Sequence, residues 1–349
     1  MSRFVRRYGG LTLLIAAYAH AEAPACSAAK LAEIRAAPTA AQPVVDIDCS
    51  ATLPPNTVVR KALRFSGAAA SGAVFDCQGG RIEPAADSGQ PDSVLIQSQW
   101  RQGQWQRPQN ITLRRCTIQG SLRIQGMAAN GEGAALRDSS RRSGHTERAQ
   151  AAAPTNIMLD TLTLLGQGRI PLYLAPGVTG VTLQNSHVGG RSNSVAVYLD
   201  AESANNTLQH NLIDSRSARE LVAIDGSAHN TVRHNRFSAL SHGGLFLYRN
   251  CGEGGTVRHQ TPSHNTISDN TFFYRYYHGG LPAVWLGARN GNRNYCEADA
   301  GYPFGSSISN LDGAQHNRIS NNRIYKLSPQ RMIRDQGSDN IISGNTTVR

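Results

Sequence analysis

The sequence predicts an all-β fold, a single-stranded parallel β-helix whose chain winds into a solenoid with coils of about 23–24 residues. One phrase recurs through the second half of the chain, with an Asn at each end and an aliphatic residue between them. It occupies residues 206–211, 230–235, 265–270, 317–322 and 340–345. Within each unit, short β-branched and aliphatic runs alternate with polar residues, and helical periodicity is nearly absent. A repeat of this length built from strand-like runs is typical of a solenoid.

Three short strands and three turns fill one repeat, and the undisturbed repeats are 24 residues (206 to 230) and 23 residues (317 to 340) long. Stacking the repeats pairs each strand with its equivalent one coil away, about 4.8 Å along the axis. Asn suits the turns because it tolerates left-handed dihedral angles, and we expect the stacked side-chain amides to form a hydrogen-bonded ladder. A leucine-rich repeat has a similar period, but its regular Leu spacing is missing here.

The Asn phrases, with weaker relatives at residues 110–113, 156–159 and 181–185, resemble the repeats of the right-handed parallel β-helix superfamily. The resemblance covers roughly residues 70–349. It implies the fold of the pectate lyases and of related polysaccharide lyases, hydrolases and C5-epimerases. Neither a pectate lyase or polygalacturonase active-site signature nor the Asp-Pro-His-Asp motif of the alginate epimerases occurs. The resemblance therefore specifies the fold and leaves the reaction open.

The N-terminus predicts a cleaved signal peptide over residues 1–21. Three arginines within residues 3–7 precede an apolar run at residues 11–19, and a small-x-small cleavage site ends at Ala21. The apolar run is too short to cross a bilayer, so we expect no membrane span. The mature chain is expected in the periplasm or outside the cell. A lipoprotein acylated at Cys26 is the alternative.

Residues 22–65 are predicted to form an N-terminal cap, with a short helix around residues 27–36, which protects the open edge of the first coil. The β-helix itself is predicted to occupy residues 66–349. Three insertions interrupt its repeats, at residues 127–154, 251–264 and 290–316.

The first insertion is rich in Arg and Gly. Its residues 146–153 could form one or two helical turns. The insertion is either a lid beside a groove, presenting Arg141, Arg142 and His145, or a surface excursion.

The cysteines indicate disulfides. The chain has six of them, at Cys26, Cys49, Cys77, Cys116, Cys251 and Cys296. An even number in an exported protein favours pairing in an oxidising compartment, and no C-x-x-C pair supports a structural zinc site. Cys251 and Cys296 lie in the two late insertions, so we expect a disulfide between them that fixes one loop against the other.

The charge of the chain favours an anionic partner. The formal charge of +11 falls to +8 without residues 1–21, which contain three Arg and no acidic residue. Arg supplies 32 of the 35 basic residues, and guanidinium groups pair bidentately with carboxylates and sulfates. We therefore expect an anionic polysaccharide as partner; simple solubility with binding to an anionic cell surface is the alternative. Nucleic acid is disfavoured by export and by the 6% aromatic content. The oligomeric state is left open.

A strand precedes each Asn phrase, and the ends of these strands are predicted to form one column. Its members are Asp200, Asp225, Arg249, Arg289 and Asp335. The next Asn phrase begins 6 residues after Asp200 and 5 after Asp225 or Asp335, but 16 after Arg249 and 28 after Arg289. Two adjacent coils thus carry long loops at one corner, and long loops in a regular solenoid are usually functional.

The first functional hypothesis is β-elimination on a uronate-containing polysaccharide. This reaction needs a cation for the carboxylate, a base for the C5 proton and an acid at the leaving oxygen. Arg249 and Arg289 are the predicted clamp, and Tyr248 or His242 the predicted base or acid. Successive strand residues point to opposite faces, so Tyr248 is core if it points inward, and His242 then takes the role. A C5-epimerase would use the same residues.

The second hypothesis is a glycoside hydrolase that pairs Asp200 and Asp225 on neighbouring coils, with Glu253 as the acid of raised pKa. The third is a non-catalytic glycan-binding or envelope-structural β-helix. Further candidates for contact with substrate are Asp200, Trp285, His278, Arg293, Arg334 and Asp335. Related lyases often use calcium, so a Ca²⁺ ion is possible, although no dedicated calcium-binding repeat occurs.

Overall fold

Three long parallel sheets form the walls of the molecule. The computed structural model describes residues 22–84, 89–128, 133–251, 253–274, 280–290 and 301–349. Each coil adds one strand to sheet A, then one to sheet B and one to sheet C, and each strand pairs in parallel with its equivalent in the next coil. The predicted right-handed parallel β-helix is therefore confirmed.

The strands are short and follow one another in a fixed order. Sheet A consists of β1 (Val44–Asp46), β4 (Ala62–Ser66), β7 (Val94–Gln97), β12 (Leu122–Gln125), β15 (Leu172–Leu174), β18 (Val197–Leu199), β22 (Val222–Asp225), β25 (Leu245–Tyr248), β28 (Val284–Leu286) and β31 (Ile333–Asp335). Sheet B consists of β2 (Ala51–Thr52), β5 (Val74–Asp76), β10 (Thr112–Arg114), β13 (Met158–Asp160), β16 (Thr182–Gln184), β19 (Thr207–Gln209), β23 (Thr231–Arg233), β26 (Thr266–Ser268), β29 (Arg318–Ser320) and β32 (Ile341–Ser343). Sheet C consists of β3 (Val58–Val59), β6 (Arg81–Ile82), β11 (Thr117–Gln119), β14 (Thr163–Gly168), β17 (His187–Ser192), β20 (Leu212–Ile213), β21 (Arg216–Ser217), β24 (Arg236–Phe237), β27 (Thr271–Phe272), β30 (Arg323–Tyr325) and β33 (Thr346–Val348).

The interior is a stack of apolar side chains, one layer per coil. Along sheet A the strand register aligns Leu199, Ile224, Leu247 and Leu286. All four side chains are fully buried. Burial of each such side chain contributes about 1.5–3 kcal/mol relative to its exposure. Because successive residues point to opposite faces, the residue before each of these lies on the outer face of sheet A.

Two Asn ladders run along the corners that flank sheet B. One joins Asn206, Asn230, Asn265, Asn317 and Asn340, and the other joins Asn211, Asn235, Asn270, Asn322 and Asn345. At each step an Nδ2 donates to the next Oδ1 over 2.8–3.1 Å, which confirms the predicted ladder.

Asn makes the left-handed turn, as predicted, at Asn110, Asn156 and Asn185 of the weaker phrases, but in the ladder phrases the turn lies one position earlier. The ladder Asn side chain is buried between its neighbours, so the residue before it makes the turn instead. Among these preceding residues, His229 and His264 have φ angles of 56° and 57°.

The N-terminal end begins with helix α1 (Ala28–Arg35). The Ser27 hydroxyl caps it by accepting from the Lys30 backbone N–H at 3.1 Å. Strands β1 to β4 already belong to the three sheets, so the coils begin before residue 66, inside the segment predicted as a cap. These early coils lack the Asn phrase that marks the later repeats, which is why the repeat pattern did not indicate them. The predicted signal peptide, residues 1–21, lies outside the described residues.

Disulfides join Cys26 to Cys49 and Cys77 to Cys116. The first ties the segment before α1 to the first coil, and the second ties two successive corners between sheets B and C. Both lie among the N-terminal coils, where the Asn ladders are absent. They add covalent links at the end of the solenoid with the least repetitive sequence.

The remaining helices lie outside the three walls. They are α2 (Ala134–Ser140), α3 (His145–Ala152) and α4 (Pro329–Met332). Helix α3 overlaps residues 146–153, the segment for which the sequence predicted one or two turns, and begins one residue earlier. In the described part of the chain, no helix has the length and apolar content needed to cross a bilayer.

Candidate functional site

Four long excursions leave the solenoid at the corner where the chain passes from sheet A to sheet B. The two late insertions predicted at residues 251–264 and 290–316 lie in the connections that follow β25 and β28 at this corner. The α2–α3 insertion follows β12 at the same corner, and a hairpin of β8 (Gln99–Arg101) and β9 (Gln104–Gln106) follows β7. The coils between, which contain β15, β18 and β22, have short connections. Long excursions therefore project from this corner on both sides of the three central coils, whose connections are short.

Two of these excursions contact each other above the three central coils. We call this contact the bridge; it consists of helices α2 and α3 and residues 253–260. The Val257 backbone N–H donates to Ser140 Oγ at 3.0 Å, and His259 Nε2 donates to the Ser140 carbonyl at 2.7 Å. Arg141 Nε donates to the Gly255 carbonyl at 3.3 Å. The insertion is therefore more than a surface excursion, because its helices pack against the loop rather than extend into solvent.

Glu202 anchors the bridge from below. Its carboxylate accepts from the His259 backbone N–H at 2.7 Å and from the Thr146 hydroxyl, so it holds both halves of the bridge. Only 1% of Glu202 is exposed. This carboxylate is fully used by its neighbours, and its role is to position the bridge.

An acidic cluster lies under the bridge, on the outer side of sheet A. Asp200 and Glu253 share one guanidinium, since Arg258 Nη1 lies 3.0 Å from Asp200 Oδ1 and Arg258 Nη2 lies 3.1 Å from Glu253 Oε2. Arg258 is fully buried. Asp225 accepts from the Tyr198 hydroxyl at 2.5 Å and from Asn250 Nδ2 at 2.7 Å.

The cluster holds more carboxyl groups than cations, which controls its protonation. Burial raises the pKa of Asp200 and of Glu253, and the Arg258 guanidinium only partly opposes this. The negative charge of Asp225 raises both pKa values further. Asp200 is fully buried, whereas 36% of the Glu253 side chain is exposed. Glu253 is therefore the member of the cluster that can exchange a proton with solvent or with a bound molecule.

Tyr248 lies beside this cluster on the outer face, so it does not belong to the interior core. Its hydroxyl donates to Glu220 Oε1 and accepts from Arg219 Nη2, at 2.9 and 2.8 Å. The Arg289 guanidinium lies over its ring, 4.7 Å from the centroid. Burial, and secondly the charge of Glu220, raise the pKa of the Tyr248 phenol well above its usual range. Although it points outward, Tyr248 is fully buried in the free protein.

The predicted clamp of Arg249 and Arg289 is wrong for Arg249. Its Nη2 donates to the carbonyls of Ser309 and Leu311, at 2.5 and 2.9 Å, and only 4% of the residue is exposed. The backbone N–H groups of Arg249 and Arg289 both donate to the Asp312 carboxylate. Arg249 therefore holds the loop in place, and Arg289 alone keeps a partly exposed guanidinium.

The predicted column of strand ends holds for Asp200 and Asp225, which follow the paired residues Leu199 and Ile224, and is wrong for its other three members. The register pairs Asp225 with Tyr248, and it pairs Leu286 with Asp335. In this register Arg249 and Arg289 come after the position that is equivalent to Asp225, and Asp335 comes one residue before it. Matching strands by their last charged residue failed because the polar residues follow the strands at different distances.

Two substrate candidates do come together on the outer face. The Arg334 guanidinium lies 5.1 Å from the centre of the Trp285 ring, and Trp285 Nε1 donates to Gln336 Oε1 at 2.9 Å. Asp335 instead accepts from the Gly337 backbone N–H at 2.9 Å, so it stabilises a turn. His242 is exposed at the corner between sheets C and A, at the opposite end of β25 from Glu253.

Three predicted residues, His278, Arg293 and Cys296, lie outside the described residues. The Cys251–Cys296 disulfide therefore stays a prediction. Within the described ranges, no group of three or more His, Cys, Asp or Glu side chains is arranged to hold a metal ion.

A cavity of about 530 Å³ opens beside the bridge. It is lined by His259 of the bridge and by residues of the late loops, including Asn290, Leu311 and Gln336. Gln336 is the residue that holds the Trp285 indole, so the cavity adjoins the outer face of sheet A.

Sequence reasoning missed the residues that organise the site. Among them are Arg258, Tyr173, Tyr198, Glu220 and Asn250. One signal was present, because Tyr173 and Tyr198 occupy the middle of Leu-Tyr-Leu and Val-Tyr-Leu strands, where alternation turns the ring outward. A Tyr at such a position, only 3% and 5% exposed in the structure, indicates an outer face covered by loops.

The family model described as "Right handed beta helix region" matches residues 104–280. Among solved structures, the chain is similar to endo-xylogalacturonan hydrolase from Aspergillus tubingensis, with 12% identity, a TM-score of 0.50, and coverage of 86% of this chain and 85% of that one. It is also similar to the surface protein and adhesin PfbA of Streptococcus pneumoniae, at 11% identity, TM-score 0.41, and 87% and 82% coverage. The A-module of mannuronan C-5 epimerase AlgE6 from Azotobacter vinelandii gives 12% identity, TM-score 0.39, and 88% and 89% coverage. A search of curated proteins gives no significant match. At these identities the structural likeness concerns the fold alone.

Proposed function

This chain belongs to the right-handed β-helix family, and from that premise we propose that it is an exported protein that acts on an acidic polysaccharide along the outer face of sheet A. Export is supported by the disulfides Cys26–Cys49 and Cys77–Cys116, which persist in an oxidising compartment. The predicted signal peptide over residues 1–21 is consistent with the same location.

The observation that carries the proposal is a partly exposed carboxyl group of raised pKa, Glu253, in a cluster that also contains Asp200, Asp225 and a single guanidinium. A carboxyl group of raised pKa keeps its proton to a higher pH than usual and can donate it to a glycosidic oxygen. Such a group is the component shared by elimination and hydrolysis of a polysaccharide.

Two arginines beside the cluster that contains Glu253 support the proposal that the substrate is acidic. Arg289 is partly exposed, and 33% of the Arg219 side chain is exposed. Both guanidinium groups contact Tyr248, one over the ring and one at the hydroxyl. Guanidinium groups bind planar carboxylates bidentately. On the same face, Trp285 offers an aromatic surface to a sugar ring, flanked by Arg334.

We assign β-elimination as the reaction. The uronate carboxylate binds Arg289 and Arg219, which move away from the ring and from the hydroxyl of Tyr248. The Tyr248 hydroxyl passes its own proton to Glu220, to which it is hydrogen-bonded, as its oxygen takes the C5 proton. The C5–H electron pair forms the C4–C5 double bond, and the C4–O bond breaks as Glu253 gives its proton to the leaving oxygen. Epimerisation would differ only in returning a proton to the opposite face of C5.

Hydrolysis is the second candidate, and the three neighbouring carboxyl groups favour it. A hydrolase needs a second carboxylate that reaches the sugar or a water molecule. Asp200 and Asp225 are fully buried and their oxygens bind Arg258, Tyr198 and Asn250. We therefore rank hydrolysis below elimination.

The test incubates the mature chain with a panel of acidic polysaccharides, with and without calcium, and follows both the ultraviolet absorbance of an unsaturated product and new reducing ends. We expect absorbance to rise with one polymer, and to be lost in Glu253→Gln and Arg289→Ala. Arg323→Ala is the matched control, because this exposed arginine lies on sheet C and should leave the rate unchanged.

Each alternative outcome is decisive. New reducing ends without ultraviolet absorbance would replace elimination by hydrolysis. Binding of the polymer without either product, in every polymer of the panel, would overturn cleavage. If proton NMR of the bound polymers also shows no epimerised residue, the enzymatic assignment fails and this chain is a glycan-binding scaffold.

A further inference from the structure

A second cavity, of about 660 Å³, lies between the β8–β9 hairpin and helices α2 and α3, and residues 253–260 of the bridge do not line it. The β8–β9 hairpin forms one wall with Trp100, Gln104 and Trp105, and the two helices form the other. Its volume is within the range of about 300–1,000 Å³ that is usual for small-molecule sites. None of the residues assigned to the reaction lines it.

The hairpin presents its aromatic side chains to this cavity. Trp100 and Trp105 are directly paired across the two strands, with ring centroids 5.4 Å apart and ring planes at 63°. Trp100 is 59% exposed, which is unusual for so large an apolar side chain. Tight turning at Gln102 and Gly103, which have φ angles of 50° and 77°, holds the two strands together. The hairpin is therefore a preformed aromatic platform that no part of the described chain covers.

The helix wall supplies an apolar floor and positive charge. Small side chains, including Ala135 and Ala151, leave room above the helices. Arg142 is exposed, and only its Nε has a hydrogen-bond partner among the described residues, the Asp138 carbonyl at 3.3 Å. The Asp138 side chain also lines the cavity and partly offsets this charge.

Arg148 has a different role from Arg142, although both line the cavity. Its guanidinium donates to the carbonyls of Ser139, Arg142 and Ser143, at 2.7–3.0 Å. It therefore fixes the connection between the helices and adds positive charge with most of its N–H donors already engaged. Arg142 is left as the group able to bind an anion.

We propose that this cavity is a second polysaccharide-binding site, which takes a sugar ring bearing a carboxylate. The apolar face of the ring stacks on Trp100, and its carboxylate pairs with Arg142. The substrate class rests on the proposed function, namely an acidic polysaccharide bound at sheet A.

The placement of the two sites suits one polymer. The hairpin follows β7 and Glu253 follows β25, which are five strands apart in sheet A. At about 4.8 Å per strand, this is roughly 24 Å along the solenoid axis. A chain of several sugar rings spans that distance, so the second site engages long polymers and not short ones. Binding at such a remote point positions the polymer for reaction at the first site.

The experiment measures binding of oligouronides of increasing length to full-length mature Glu253→Gln protein, by calorimetry and by tryptophan fluorescence. We expect affinity to rise with length, and the long oligouronides to bind about tenfold more weakly after Trp100→Ala or Arg142→Ala. Trp100→Phe should restore most of the affinity. Arg101→Ala is the matched control, since this exposed arginine on the same hairpin does not line the cavity.

Unchanged affinity in Trp100→Ala would overturn the second site. So would equal binding of neutral oligosaccharides, or binding of an apolar dye that acidic oligosaccharides fail to displace, because either shows a different ligand class. Failure of the proposed reaction is separately visible: wild-type protein would then yield no product although Trp100-dependent oligouronide binding persists. If product forms but Trp100→Ala alters neither binding nor the KM for long polymers, only the second site is wrong.

Discussion

The sheet B side of the molecule and the corner between sheets A and B are stabilised in different ways. At the flanks of sheet B, each ladder Asn bonds its own equivalent in the next coil, as Asn230 does with Asn265 at 2.8 Å. At the corner, unlike residues from distant parts of the chain meet, as His259 does with Ser140, 119 positions away. At the flanks of sheet B, the repeat gives each ladder amide a hydrogen-bond partner. At the corner between sheets A and B, several carboxyl groups surround one cation. The solenoid supplies a rigid frame, and the corner holds the excess of carboxyl groups on which the proposed reaction depends.

Removal of the shared cation should have the largest effect. Arg258→Met leaves Asp200 and Glu253 without their guanidinium, and loss of one partner of a buried ion pair typically costs about 3–5 kcal/mol. Urea denaturation should show this loss, and hydrogen exchange should show the bridge opening before the coils. Arg233→Met is the control, because this arginine is exposed on sheet B and should change stability by less than about 0.5 kcal/mol. Equal losses in the two variants would remove the contrast between the regions.

A break in the Asn ladder should lower the free energy of unfolding slightly less, and it should destabilise the coils of the solenoid. Asn265→Ala removes the oxygen that accepts from Asn230 Nδ2 and the Nδ2 that donates to Asn317 Oδ1. Buried polar groups left unpaired cost about 3 kcal/mol in total. The expected loss appears in denaturant unfolding as a fall of the main transition, without early opening of the bridge. Ser268→Ala, on the outer face of the same coil, should leave the transition where it is.

Acid should weaken the bridge through His145. Burial lowers the pKa of this imidazole to about 4, and only 1% of the residue is exposed. A base whose folded pKa lies below its unfolded value of 6.5 is neutral in both states at high pH. The contribution of neutral His145 to the free energy of unfolding is therefore intact above pH 6.5. As the pH falls towards about 4, up to about 3 kcal/mol of this stability is lost. Unfolding measured across this range should show the loss, and His145→Gln should flatten it; the same slope in the variant would exclude His145 as the cause.

The smallest effect is expected at Tyr198. Tyr198→Phe removes one donor to Asp225, which keeps its bonds from the side chain and backbone N–H of Asn250. The net cost of one such hydrogen bond is about 1 kcal/mol, which thermal unfolding can resolve. A much larger loss would mean that the phenol, rather than Asn250, is the main support of this carboxylate.

The sequence could predict the frame because each ladder contact repeats the same residue type at a fixed spacing, as at Asn206 and Asn230. It could also place two of the long loops at one corner. It could not predict the site in the same way, because Arg258 meets Asp200 from 58 positions away with no repeated pattern. Arg249 and Arg289 occupy similar places in the sequence, yet the carbonyls of Ser309 and Leu311 take the guanidinium of the first only. Such contacts depend on how the loops fold back.

The proposed reaction depends above all on the proton of Glu253, which carbon-13 NMR of the side-chain carboxyl can follow during a pH titration. We predict a titration midpoint above the usual 4.5, and a further rise in Arg258→Met, since that guanidinium lowers the pKa. Assignment of the signal comes from its disappearance in Glu253→Gln. A midpoint at or below 4.5 in the wild-type protein would contradict the proposed role, because the buried cluster would then not favour the protonated form of Glu253.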